Sequence, residues 1–189
     1  MKPMFTIHAG EFIVGDYIEH TFQNVSVWVP TKDTGVDLLL SGKNKEILSL
    51  QVKFSRDFLL THMKSLSQTP LRAQLRTCGW FTLNREKILE SRADYWIFVL
   101  VGLKNRSTDF VIIKPAELLK RLDAIHPDKK RICQTYLWVT ENLKCWETRG
   151  LNLKDQLLVA QGKFEHKERG FSEYFGHNGW KPIKKLNDA

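Results

Sequence analysis

A chain of 189 residues can bury a real hydrophobic core without disulfides or a structural metal. With 42% hydrophobic and 26% charged residues it has an ordinary globular composition, which excludes disorder as its default state. Its net charge of +8 and pI near 9.4 favour a polyanionic partner, nucleic acid ahead of an anionic membrane.

The longest apolar run, Tyr95 to Leu103, falls far short of the ~20 residues that a spanning helix needs. The opening stretch from Met1 to His8 has no long apolar segment before a small-residue cleavage site, so no signal peptide is expected. Cys78, Cys133 and Cys145 form an odd set without Cys-x-x-Cys spacing, against both a disulfide framework and a zinc ribbon. A reducing, cytoplasmic setting fits these features. No repeat, low-complexity tract or Gly/Ser linker divides residues 1–189, which read as one domain.

In chain order, the spacing of Val14, Ile18 and Phe22 predicts a helix over residues 10–22 with one buried stripe. Residues 25–29 alternate polar and apolar as a half-buried strand does, and Pro30 ends them before a loop at 31–35. Residues 36–40 and 46–54 read as two strands of a hairpin around the polar turn 41–45. In the second of these, Leu48, Leu50, Val52 and Phe54 share one face, and Ser49, Gln51, Lys53 and Ser55 the other. From Arg56 to about Arg92 the pattern reads as helical, broken at Pro70 and again near Cys78 and Gly79. Residues 95–101 are apolar on both faces, as in a strand inside a covered sheet. A strand at 110–113, a Pro-initiated helix at 115–122, a strand at 135–139 and a helix at 152–159 follow. The aromatic tail at 171–180 reads as irregular. The fold class expected is α/β, a mixed β-sheet flanked by helices.

The chemistry concentrates in the hairpin. Asp37 sits on its first strand, and the short turn can bring it within a few ångströms of Gln51 and Lys53 on the second. A carboxylate beside an amide oxygen offers hard ligands for Mg²⁺, which keeps several of its own waters. An ammonium alongside can orient or deprotonate a water, or balance charge on a phosphate under attack. Glu11 falls on the inward stripe of the first helix, one turn before Val14, where an acid is costly unless compensated. Glu19 is the alternative acid, beside the stripe.

The sequences Gly10-Glu11-Phe12, Thr34-Gly35-Val36-Asp37-Leu38-Leu39 and Leu50-Gln51-Val52-Lys53-Phe54-Ser55 together resemble the core of the PD-(D/E)XK nuclease superfamily. That group includes type II restriction enzymes, Mrr-type restriction proteins and archaeal Holliday-junction resolvases. The resemblance covers about the first third of the chain. Val36 stands where the pattern has Pro, and Gln51 where Asp or Glu is usual, a Gln-x-Lys form similar to that of Mrr-like proteins. The amide removes one negative charge and weakens metal affinity. On this resemblance the fold is restriction-endonuclease-like. Asp37, Gln51 and Glu11 hold Mg²⁺ (or Mn²⁺ in its place), and Lys53 assists the attacking water. The activity implied is endonucleolytic hydrolysis of double-stranded or branched DNA, in restriction, defence or repair, by a homodimer if both strands are cut. The alternative is a nucleic-acid-binding protein that kept the fold and lost catalysis.

Arg72, Arg76 and Arg85, with Lys87 and Arg92, are candidates for phosphate contacts, though a solvated helical face explains them equally well. The six histidines are scattered without metal-like pairing, and no Gly-rich phosphate loop is present.

Overall fold

A computed structural model describes residues 8–32, 34–56, 75–102 and 107–189. Helix α1 (Ala9–Thr21) carries the expected stripe, with Val14 and Ile18 fully buried. Strands β1 (Ser26–Trp28), β2 (Leu38–Ser41) and β3 (Ile47–Arg56) then form an antiparallel meander, with Leu38 opposite Leu50 and Leu40 opposite Leu48.

The next stretch departs from the sequence reading. Residues 57–74 lie outside the described residues, but the remainder of the expected helical region opens as a ten-residue strand, β4 (Leu75–Asn84). Leu75, Thr77, Gly79, Phe81 and Leu83 are all buried, which is period two, and Thr, Cys, Trp and Phe suit a pleated surface. Only Arg85–Leu89, helix α2, is helical there, started by Asn84 accepting from the N–H groups of Glu86 and Lys87 at 2.9 and 3.4 Å.

Strand β5 (Tyr95–Val101) coincides with the expected apolar run, and β6 (Thr108–Ile113) follows. Helix α3 (Pro115–Ile125) starts at its proline as expected. Strands β7 (Ile132–Thr140) and β8 (Cys145–Glu147) and helix α4 (Leu153–Ala160) come next. The tail is more ordered than its sequence suggests. It forms a 3₁₀ turn at Ser172–Tyr174, a short helix α5 (Gly176–Gly179) and an amphipathic helix α6 (Lys181–Asp188).

The strands make two sheets. The larger is mixed, in the order β1-β2-β3-β5-β6, with β3 and β5 parallel and every other pair antiparallel. The smaller is antiparallel, in the order β4-β7-β8. One face of the larger sheet packs Leu50, Val52, Ile97, Val99 and Ile112 against α1 and α6. Its other face packs Trp96, Phe98, Leu100, Val111 and Ile113 against β4, β7, α2 and α3. The far side of the smaller sheet buries Cys78, Trp138 and Trp146 with Val159 of α4. The α/β expectation therefore holds, as a mixed sheet flanked by helices with a second sheet on one face.

Two close approaches fix this packing. A Cβ on Gly10 would stand 2.7 Å from Phe54 Cβ, so α1 sits directly on β3 at that point. At the hairpin turn, a Cβ on Gly42 would meet the Leu186 carbonyl at 2.7 Å. Helix α6 is also tied to the α1–β1 connection, where the Asn24 N–H donates to Asn187 Oδ1 and Asn24 Nδ2 donates to the Asn187 carbonyl, both at 3.0 Å. All three cysteines are buried, and none is in a disulfide. Among the described residues no helix is long and apolar enough to cross a membrane.

Candidate functional site

Strand β2 peels away from β3 at Asp37. Gly35 has φ of 81°, a left-handed turn that swings the chain in just before the strand. The Asp37 N–H still donates to the Leu50 carbonyl at 2.8 Å, so the ladder persists to that residue. Beyond it, the Asp37 side chain takes over the role of backbone. Its Oδ2 accepts from the Val52 N–H at 2.6 Å and from Gln51 Nε2. The expected approach of Asp37 to Gln51 is therefore made, as a direct hydrogen bond.

Gln51 and Lys53 lie on the β3 face turned toward the smaller sheet, because Gln51 is in register with Trp96 and Lys53 with Phe98 on β5. The Lys53 ammonium stands 5.2 Å from the centroid of the Trp96 ring, within cation–π range. Trp96 is itself fixed: it is buried, and its Nε1 donates to Ser91 Oγ at 2.9 Å. In the sequence Trp96 reads only as part of the apolar run at 95–101. Its contact with Lys53 depends on a parallel register across β3 and β5, which no local pattern encodes.

Glu11 reaches the same region from the first turn of α1. It is buried, and its Oε2 accepts from the His8 N–H at 3.0 Å. Glu11, Asp37, Gln51 and Lys53 all line one cleft of about 960 Å³. The end of β4 and helix α2 supply its opposite wall, with Asn84, Lys87 and Glu90, and Arg92 follows them. Charged groups of both signs thus line the cleft, Glu11, Asp37 and Glu90 together with Lys53, Lys87 and Arg92.

Compared with known protein families, curated proteins and solved structures, the chain matches none. The cleft therefore has to be read from its own chemistry.

The proposed nucleic-acid contacts separate. Arg76 is in an ion pair with the buried Asp109 and lines a different cavity. Arg85 is paired with Asp123 and its side chain is only 13% exposed, so it serves packing at the α2–α3 contact. Arg72 lies outside the described residues. Of these candidates, Lys87 and Arg92 line the cleft.

The donor set suits a divalent cation that keeps most of its own water. Among the described residues no three His, Cys, Asp or Glu side chains converge, so an all-protein cage is absent there. Asp37 takes both of its hydrogen bonds on Oδ2, leaving Oδ1 without one among the described residues. Gln51 presents its nitrogen to the carboxylate, and a half-turn of the amide would present its oxygen instead. One carboxylate oxygen, one amide oxygen and a nearby Glu11 match the few protein ligands Mg²⁺ takes. Cys145 offers no competing chemistry, since burial pushes its thiol pKa well up and keeps it protonated.

Proposed function

We propose that this chain is a metal-dependent nuclease of the PD-(D/E)XK type, hydrolysing phosphodiester bonds of double-stranded or branched DNA in a cytoplasmic setting. The observation that supports this best is the joining of Asp37 to Gln51 across the parting of β2 and β3, with Lys53 beside them in one cleft. Asp37 and Gln51, with Glu11 in support, would hold Mg²⁺ or Mn²⁺, which supplies a Lewis acid to the scissile phosphate when bound. Lys53, steadied over Trp96, orients the attacking water and balances the charge that builds on the phosphate oxygens. Lys87 and Arg92 at the cleft engage the neighbouring backbone phosphates. Cutting both strands of a duplex calls for two such sites, hence a homodimer.

The second reading is a nucleic-acid-binding protein without catalysis. It draws support from the Asp37–Gln51 hydrogen bond itself, which satisfies the carboxylate without any cation. Incubating supercoiled plasmid, linear duplex and a four-way junction with Mg²⁺, Mn²⁺ or EDTA separates the two. The nuclease reading expects metal-dependent cutting that Lys53→Ala abolishes in a folded protein. Cutting that survives both Lys53→Ala and Asp37→Asn would remove this cleft from consideration. DNA binding without cutting on any substrate would favour the second reading.

A further inference from the structure

The geometry points to a second ligand site, for a nucleoside monophosphate, in a cavity that shares no lining residue with the cleft. This cavity, of about 570 Å³, opens between the second half of α1, the start of β6 and the α5–α6 region. Its size suits a small-molecule ligand.

Its aromatic wall is Tyr17, Phe110 and Trp180. Tyr17 stacks on Trp180 with ring centroids 4.6 Å apart and stands 4.9 Å from Phe110. Yet Tyr17 is 36% exposed, so the stack presents an accessible aromatic edge. Arg76 and Lys184 bring positive charge, and His177 an imidazole, from three separate elements. Asp109 is the acid among the lining residues, and it is committed: Arg76 Nε donates to its two oxygens at 3.0 and 3.1 Å, and Thr77 Oγ1 donates to Oδ2 at 2.7 Å.

That commitment is informative. A buried carboxylate grips the Arg76 guanidinium by its Nε edge, and the Arg76 Nη atoms make no hydrogen bond among the described residues. A guanidinium held from behind, beside an aromatic stack, presents a fork suited to phosphate. Lys184 adds a second charge. Tyr17, Thr21 and Thr108 also line the cavity, and their hydroxyls make no hydrogen bond among the described residues. They favour a ligand rich in heteroatoms, a base and ribose, over a plain aromatic acid. The shared chemistry is a nucleotide with a terminal phosphate, either free or at the 5′ end of a strand.

Calorimetric titration in EDTA tests this, with adenosine 5′-monophosphate as the probe beside adenosine and inorganic phosphate. The monophosphate should bind saturably, about tenfold or more tighter than either half alone. Lys184→Ala and Tyr17→Leu, on exposed positions with folding checked by thermal melting, should each weaken it by about tenfold. Asp37→Asn should leave it unchanged, which keeps this site distinct from the nuclease reading. A 5′-phosphorylated oligonucleotide binding tighter than the monophosphate identifies a strand end as the ligand, and the reverse order a free nucleotide. No saturable binding of the monophosphate, equal binding of phosphate alone, or indifference to both Lys184→Ala and Tyr17→Leu would overturn the assignment. Loss of binding in Asp37→Asn would move the ligand to the cleft and overturn it as well.

Discussion

Asp37 has a structural role and, on the proposed function, a metal-binding one, and the two can be separated. Its Oδ2 accepts the Val52 N–H, a backbone group that the departure of β2 leaves without a strand partner. Alanine removes that acceptor and should cost about 1–2 kcal/mol of stability. Asparagine keeps an acceptor oxygen while removing the charge a metal requires. Asp37→Asn should therefore melt close to the parent yet lose metal-dependent cleavage, whereas Asp37→Ala loses both. Thermal melts and cleavage assays on the two variants check this, and an active Asp37→Asn would deny the carboxylate a metal role. The approach of Asp37, Gln51 and Lys53 was legible in the sequence because hairpin spacing and strand alternation are local rules. The roles of Arg76 and Arg85 were not, since their acids, Asp109 and Asp123, lie more than thirty positions away on other elements. Charge on a sequence does not say which cations a carboxylate already holds in place.

At the scale of elements, α1 depends on Gly10. Replacing a helical glycine by alanine ordinarily gains about 1 kcal/mol. Here the added Cβ meets Phe54 Cβ at 2.7 Å and Val52 Cγ1 at 3.2 Å, atoms close to the β3 backbone that cannot swing aside. Overpacking of this kind costs about 1–3 kcal/mol and should win. Gly10→Ala is expected to lower the urea midpoint and, by lifting the first turn of α1, to reduce cleavage through Glu11. A variant as stable as the parent would mean that the helix can shift at no cost. The same scale shows where sequence reading failed. The sequence reads as helical from Arg56 to about Arg92 with a break near Cys78 and Gly79, whereas β4 runs unbroken through both residues. Its true period shows only in the burial of every second residue from Leu75 to Leu83, created by β7 some fifty positions later. Helix α6 is not legible in the sequence because its buried face is Ile183 and Leu186 alone, too few residues to establish a helical period.

Across the whole molecule, two expectations follow from charge and packing. If Lys53, Lys87 and Arg92 each neutralise one phosphate, raising salt from about 50 to about 200 mM should weaken DNA binding roughly fortyfold. A flat salt response would exclude this cleft as the DNA contact. Leu186, almost fully buried, pins the hairpin turn at Gly42. Leu186→Ala should cost about 2–5 kcal/mol and speed amide hydrogen exchange at Leu40, with the β4–β7 pairing less affected. Equal loosening of both sheets would show a single cooperative unit instead.

The tie between Asn24 and Asn187 spans 163 positions of sequence. Closing so large a loop costs chain entropy before the contact it makes contributes anything, so contacts of this kind tend to form late in folding. We expect this tie to form late, after the folding transition state. Weakening it at Asn187 should leave the refolding rate nearly untouched and show itself as faster unfolding. The lifetime of the folded protein, more than the speed of its formation, is what this long-range tie controls.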